Sequence, residues 1–328
     1  MPVTTDGNAT ASDHGLWDST PLNRRGRMNG IVVVDKPAAI TSAQVVARVK
    51  ALLKVKKVGH TGTLDPFATG VLVCCINQAT RLARFLMAGR KRYEAVMRLG
   101  VRTDTQDLTG QVVSQDPDVR VDHDKVRSVF RDFLKIKEQV PPAFSALKHR
   151  GVPLYKLARG GAFVKKPARP ISLYELEVLD IDLPHVHFMV SCSQGTYVRT
   201  LCADMGDVIG CGAHLVQLCR TESGGFTLEE AISLRALKEV TLAGQVAHYV
   251  TPMSRALRAM PELHAGPALT QRIRSGQPIV RADLEPIKDP APTWIKVTDH
   301  EGHLIAVISA NEKKGVYPYA CVFPKQGL

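Results

Sequence analysis

The sequence predicts a mixed fold, α+β with α/β left open by the residues alone, in which a mixed sheet is followed by a small β-rich C-terminal module. Three observations carry this reading. Strand, turn and helix signals follow one another from Gly30; β-rich or alternating segments recur at 93–99, 173–183 and 186–192; and after Leu257 the texture changes to short apolar pieces separated by Pro, Gly and Asp. At 328 residues the chain exceeds the usual single domain. Its 45% hydrophobic and 23% charged residues exclude a disordered chain, and no apolar run is long enough for a membrane-spanning helix.

Taken in order, residues 1–27 are rich in Thr, Asp, Asn and Ser and show no apolar period, so they read as a disordered leader, with Met28 offering an alternative start. Asp6, Asp13 and Asp18 argue against an acid-poor transit peptide. The run Ile31-Val32-Val33-Val34 predicts a buried strand stopped by Asp35-Lys36-Pro37, and Thr41-Ser42 then cap a helix carrying Val45, Val46, Val49 and Leu52. A polar, Gly-rich loop over 59–66 precedes a second apolar run, Val71 to Ile76. In the C-terminal segment, 258–328, strand signals fall at Ile279-Val280, Trp294 to Val297 and Leu304 to Ile308.

The formal net charge of +12 makes a polyanionic partner plausible, although excess Lys and Arg also serve as a solvating surface. Lys148, Arg150, Lys156, Arg159, Lys165, Lys166 and Arg169 fall in a stretch without Asp or Glu, and 141–170 reads as a basic arm. The seven cysteines include no C-x-x-C pair and read as reduced cytosolic thiols. Their spacing supplies no zinc site, and no metal is expected.

The loop Gly59-His60-Thr61-Gly62-Thr63-Leu64-Asp65-Pro66 is suited to presenting a side chain rigidly, because it lies between two apolar elements. It lacks the Lys followed by Ser or Thr that a phosphate-cradling P-loop needs. An isolated Asp-Pro step is ordinarily a turn, so any chemistry at Asp65 depends on distant segments.

Those segments exist. Val34-Asp35-Lys36-Pro37, the 59–66 loop with Ala68-Thr69-Gly70-Val71-Leu72, Lys91-Arg92-Tyr93, Gly100 to Thr105, Pro141-Pro142 with Ser145-Ala146 and Lys148, Gly195-Thr196-Tyr197-Val198-Arg199-Thr200-Leu201 and Gly212 to Thr221 occur in one order. Together, from Met28 to Leu234, they resemble the TruB family of tRNA pseudouridine synthases, and the segment 262–324 resembles the small RNA-binding PUA domain. The resemblance implies the pseudouridine synthase catalytic fold over 28–257 and a PUA-like domain over 258–328.

It also implies that uridine is isomerised to pseudouridine in the T loop of tRNA, at position 55, without a cofactor. Asp65 would be the catalytic carboxylate, Arg199 its ion-pair partner, Tyr93 the ring stacked on the flipped uracil, and His60 the residue that fills the vacated place. Tyr197, two residues before Arg199 on a strand-like stretch, would share its face and handle a proton or pack the ring, and Leu218 would floor the pocket. Lys36, Lys148 with the rest of the arm, and Arg220 are candidate phosphate contacts. The expected partner is the T arm of tRNA, bound by a cytoplasmic monomer with no obligate protein partner and no membrane. A non-catalytic RNA-binding or tRNA-folding protein and a guide-RNA-dependent relative are the alternatives.

Overall fold

The computed structural model describes residues 28–164, 166–283 and 293–324; the expected leader, 1–27, and Lys165 of the arm lie outside them. The N-terminal part contains β1 (Gly30–Lys36), α1 (Ser42–Leu53), β2 (Val58–His60) and β3 (Thr69–Ile76). β1 and β3 pair antiparallel from Gly30↔Ile76 to Lys36↔Gly70, and β2 pairs antiparallel with the far end of β3. Thr41 caps α1 through a capping box with Gln44, which satisfies N–H groups that the first helical turn leaves free. Val45, Val49 and Leu53, at helical spacing, bury against Val32, Val34, Leu72 and Cys74.

The larger half follows with β4 (Lys91–Leu99), α2 (His123–Phe133), β5 (Leu173–Asp182), β6 (His185–Cys192), α3 (Val198–Ile209), β7 (Ala213–Ser223), β8 (Ile232–Ser233) and α4 (Leu234–Leu242). With Phe226–Thr227, which pairs with β7, these strands form one nine-stranded sheet whose path runs β5-β6-β4-β7-β3-β1-β8, with β2 beside β3. β5, β6, β4 and β7 pair antiparallel in turn. β7 and β3 meet at a short parallel seam, Cys219↔Thr69 and Arg220↔Gly70, and β8 returns to pair parallel with β1 at Val34↔Ile232 and Asp35↔Ser233. At that seam Gly70 has φ +95°, and a Cβ there would lie 2.3 Å from the Arg220 carbonyl oxygen, so glycine is required for the strands to close.

The C-terminal segment is β-rich, as expected. β9 (Glu262–His264), β10 (Trp294–Thr298), β11 (Leu304–Ser309) and β12 (Tyr319–Val322) form a four-stranded sheet in that order, with α5 (Pro267–Arg274) packed beside it. Ile273, Ile279, Ile295, Val297 and Ile308 fill its own core. The module is seated on the large sheet: Arg81 and Arg84 donate to the carbonyls of Val322 and Ala320, and Val307 and Phe323 join a cluster with Ile31 and Val71.

One expectation about the fold needs correction. The stretch carrying Tyr197 and Arg199 is not a strand: Tyr197 is the extended residue preceding α3, and Arg199 lies in its first turn. Val198, Leu201, Cys202 and Met205 are buried at helical spacing, and this packing overrides the β-branched start of the segment. The basic arm holds a two-stranded ladder (Lys148–His149 with Val152–Pro153) and a short helix, Leu154–Arg159.

Candidate active site

The 59–68 loop is fastened on three sides. Ser42, at the start of α1, accepts from Leu64 N–H and donates from the same hydroxyl to Leu64 C=O, at 2.8 and 3.0 Å. Arg220 donates from Nη2 to Gly62 C=O at 3.0 Å and from Nε to Val71 C=O at 2.8 Å. Lys36 Nζ reaches the carbonyls of Pro37, Pro66 and Ala68 at 2.9, 3.0 and 2.5 Å. Charged donors therefore close the backbone on both sides of Asp65, which fixes where its side chain emerges.

The Asp65 carboxylate, 31% exposed, meets Arg199, whose Nη1 lies 3.3 Å from Asp65 Oδ2. The same nitrogen lies 3.4 Å from Asp107 Oδ2, and the other terminal nitrogen donates to Phe144 C=O at 2.6 Å. Asp107 is almost wholly buried; its Oδ1 accepts from Thr105 Oγ1, Thr109 N and Thr109 Oγ1. Arg199 thus bridges a buried carboxylate and a solvent-facing one. Burial pushes the Asp65 carboxyl up from the ordinary carboxylate range; Arg199 opposes this, Asp107 adds to it, and Lys36 opposes it.

Beside the carboxylate, Tyr93 on β4 lies opposite Arg220 on β7 and Val190 on β6, and it shares one apolar cluster with Leu64, Ala68 and Leu218. At 7% exposure it is a strand-core tyrosine in this state, not the residue of a polar strand edge that its neighbours Lys91 and Arg92 suggest. Lys91 turns inward to the carbonyls of Met87 and Gly89, and only Arg92 faces out, toward Glu175. His60 is half-buried and its Nδ1 accepts from Gly62 N–H, so the ring is the neutral tautomer; burial first and Arg220 second depress its pKa.

An ion-paired carboxylate thus stands beside an aromatic and aliphatic floor, on a stapled loop at a sheet seam. Residues 50–198 match the TruB family pseudouridylate synthase N-terminal domain, and residues 199–258 match the tRNA pseudouridylate synthase B C-terminal domain. A protein of Geobacter sulfurreducens named tRNA pseudouridine synthase B is 50% identical over 261 residues, covering 79% of this chain and 85% of its own length. This chain belongs to the TruB family. A Pseudomonas paraeruginosa protein of the same name is 39% identical over 90% of this chain and 96% of its own. Among solved structures, a chain of a Cbf5-Nop10-Gar1 complex superposes with TM-score 0.71 at 27% identity, covering 90% of this chain and 85% of that one.

Within this TruB-family fold the structure brings Asp65, Arg199, Tyr93, Leu218, His60 and Tyr197 to one region. Tyr197 lies with its ring 5.7 Å from the Arg199 guanidinium carbon, and its backbone N–H and C=O are both bonded to the side chain of Gln139. Burial pushes its hydroxyl pKa up, and Arg199 opposes the shift. Lys36 and Arg220 do not fit as phosphate contacts: they are 0% and 1% exposed and their donors are bound to backbone carbonyls. Lys148 is exposed on the arm and remains available.

Two residues escaped the sequence reading. Asp107 lies two positions beyond the Gly100–Thr105 stretch, and its signal is the flanking Thr105 and Thr109, whose hydroxyls can close a tight turn around a carboxylate. Gln139 carried no local signal. For metal binding, one group among the described residues has suitable types, Asp299, Glu301 and His303 in the C-terminal module, but Asp299 already accepts from Arg274 and from the N–H groups of Glu301 and His303.

Proposed function

We propose that this chain converts a T-loop uridine of tRNA, position 55, into pseudouridine, with Asp65 as the catalytic group. The observation that carries the proposal is the Asp65 carboxylate, partly open to solvent while Arg199 holds it from the protein side. Arg199 favours the ionised form that either route requires.

The target base leaves its stack and enters the site. Uncharged His60 fills its place, Tyr93 offers a face for the uracil once the pocket opens, and Leu218 supports the opposite side. Asp65 then attacks C1′, so that the C1′–N1 electron pair leaves with the uracil, or it removes the C2′ proton as N1 departs and a glycal forms. After the base turns, C5 bonds to C1′. On the first route this displaces the Asp65 carboxylate; on the second, Asp65 returns the proton to C2′. The C5 hydrogen leaves as a proton, and N1 gains one. No atom is gained or lost overall, so no cofactor is called for. Tyr197, its backbone held by Gln139 and its ring beside Arg199, is the group placed to pack the ring or to handle the proton.

Recognition rests on the exposed cations of the arm, Lys148 among them, and on the C-terminal sheet read as a PUA-like RNA-binding domain. The free cysteines fit a reducing compartment, and we read the protein as a cytoplasmic monomer with no obligate protein partner. Among the described residues no helix is long and apolar enough to cross a membrane.

The test is to incubate the enzyme with an unmodified tRNA transcript and map pseudouridine by carbodiimide adducts and primer extension. A new stop at one T-loop uridine, absent from a transcript with cytidine there, is expected. Bound tRNA without any new stop would leave the non-catalytic, tRNA-folding reading in its place.

A further inference from the structure

The basic arm and the catalytic ion pair meet at one residue, Phe144. Its carbonyl accepts from Arg199 Nη2 at 2.6 Å, and its ring meets the ring of Phe163 edge-on with centroids 6.3 Å apart. Phe163 is 66% exposed, beyond the helix Leu154–Arg159 and the Gly160-Gly161 turn. The arm between them is a folded unit. Leu154 and Ala158 are buried, Leu154 N–H donates to Leu147 C=O, and Tyr155 N–H donates to Ser145 C=O. Displacing this unit therefore displaces the segment that begins at Phe144.

Arg199 has no independent slack to absorb such a shift. Its guanidinium is planar and rigid, with one terminal nitrogen on Phe144 C=O and the other shared between Asp65 and Asp107. A tilt at Phe144 is felt at Asp65. On the outer side, Phe163 is the arm's exposed aromatic ring, set among the exposed cations Lys148, Arg150, Lys156, Arg159 and Arg169. Aromatic faces between phosphate-binding cations are the arrangement that stacks unpaired nucleobases.

We propose that Phe163 stacks on an unpaired base of the bound RNA and that Phe144 is a positioning residue, converting closure of the arm into alignment of Arg199 against Asp65. The proposal rests on the reading of Asp65 as the catalytic group. It makes the arm a determinant of the chemical step and not of affinity alone. RNA that the arm does not grip is then bound but slowly converted.

The test is single-turnover tritium release from a tRNA transcript labelled at uridine C5, with enzyme in excess over a range of concentrations, for the wild type, Phe163→Ala, Phe163→Tyr and Phe144→Ala. Because Phe163 is exposed, its variants keep the fold. The maximal rate of Phe163→Ala should fall by at least about fivefold, the low end of losing one aromatic–base stack. The half-saturating concentration should stay near the wild-type value, because phosphate contacts carry the affinity. Phe163→Tyr should restore the rate, and Phe144→Ala should match Phe163→Ala. An unchanged maximal rate, a weaker half-saturation with the rate intact, or failure of Phe163→Tyr to rescue would each overturn the coupling. Absence of release in the wild type would overturn the reaction assignment, and the coupling with it.

Discussion

Two sets of cations in this chain perform opposite tasks. Around Asp65, Lys36, Lys91, Arg199 and Arg220 are between 0% and 7% exposed, and their donors go to backbone carbonyls and carboxylates. On the arm, Lys148, Arg150, Lys156, Arg159 and Arg169 are exposed. The buried set fixes geometry and is shielded from salt, whereas the exposed set is available to phosphate and sensitive to salt. Residue type does not separate them; burial does. Burial also leaves its mark on the inner set, as Lys36 and Lys91 are each pushed down to about 8 by desolvation, with Asp65 opposing the shift at Lys36 and Arg220 adding to it at both.

Substitutions in the two sets should separate accordingly, and the largest effect belongs to the group the inner set serves. Asp65→Asn is expected to lose at least about 10³-fold in turnover, within the range of a single proton-handling group, while tRNA binding measured by filter retention is kept. Next comes Asp107→Asn, which removes one partner of a buried ion pair. A kcat loss on the order of 10² is expected, the effect of misplacing a catalytic group by about 1 Å, and the fold should lose about 3–5 kcal/mol as Arg199 loses a buried counter-charge.

The same variant has a pH signature. The proposed reaction needs ionised Asp65, whose pKa is raised mainly by burial and in part by Asp107, so on that proposal kcat should fall as pH drops through a value above the ordinary carboxylate range of about 4. Removing the Asp107 charge should move that acid limb downward, with Arg199 and Lys36 still facing the group. An acid limb that moves upward would contradict the assignment of charges.

Lys36→Met should lower kcat by about tenfold, because the carbonyls of Pro66 and Ala68 lose a charged donor. The salt dependence of tRNA binding should not change. A phosphate contact would behave in the reverse way, losing affinity and salt slope with kcat kept. The smallest effect is expected for Lys148→Ala, with binding weakened a few-fold, the slope of log K against log salt reduced by about 0.9, and the maximal rate little changed.

Much of this was legible in the sequence. The cap at Thr41, the apolar runs of β1 and β3 and the alternation in β4 and β6 are local signals, and they give the strands and helix directly, whereas Ser42 lies within the first turn and ties Leu64 instead of capping. The pairing of Asp65 with Arg199 follows from the resemblance alone, and the fold brings the two side chains to 3.3 Å. Lys36 and Arg220 were misread because a sequence shows charge but not the carbonyls that collect around it. The helix at Val198 was misread as a strand because β-branched residues open it, and its stability comes from burial that only the fold supplies. Asp107 was missed because it meets Arg199 only through the fold, 92 residues along the chain.

The central claim is that this site joins C5 of a T-loop uridine to C1′. The most direct measurement is release of tritium from C5 of that uridine in an unmodified tRNA transcript, with purified wild-type enzyme in excess and binding followed in the same samples. The account predicts that the label at the target uridine is released in full and that the transcript stays intact. Saturated binding with the label retained would contradict it.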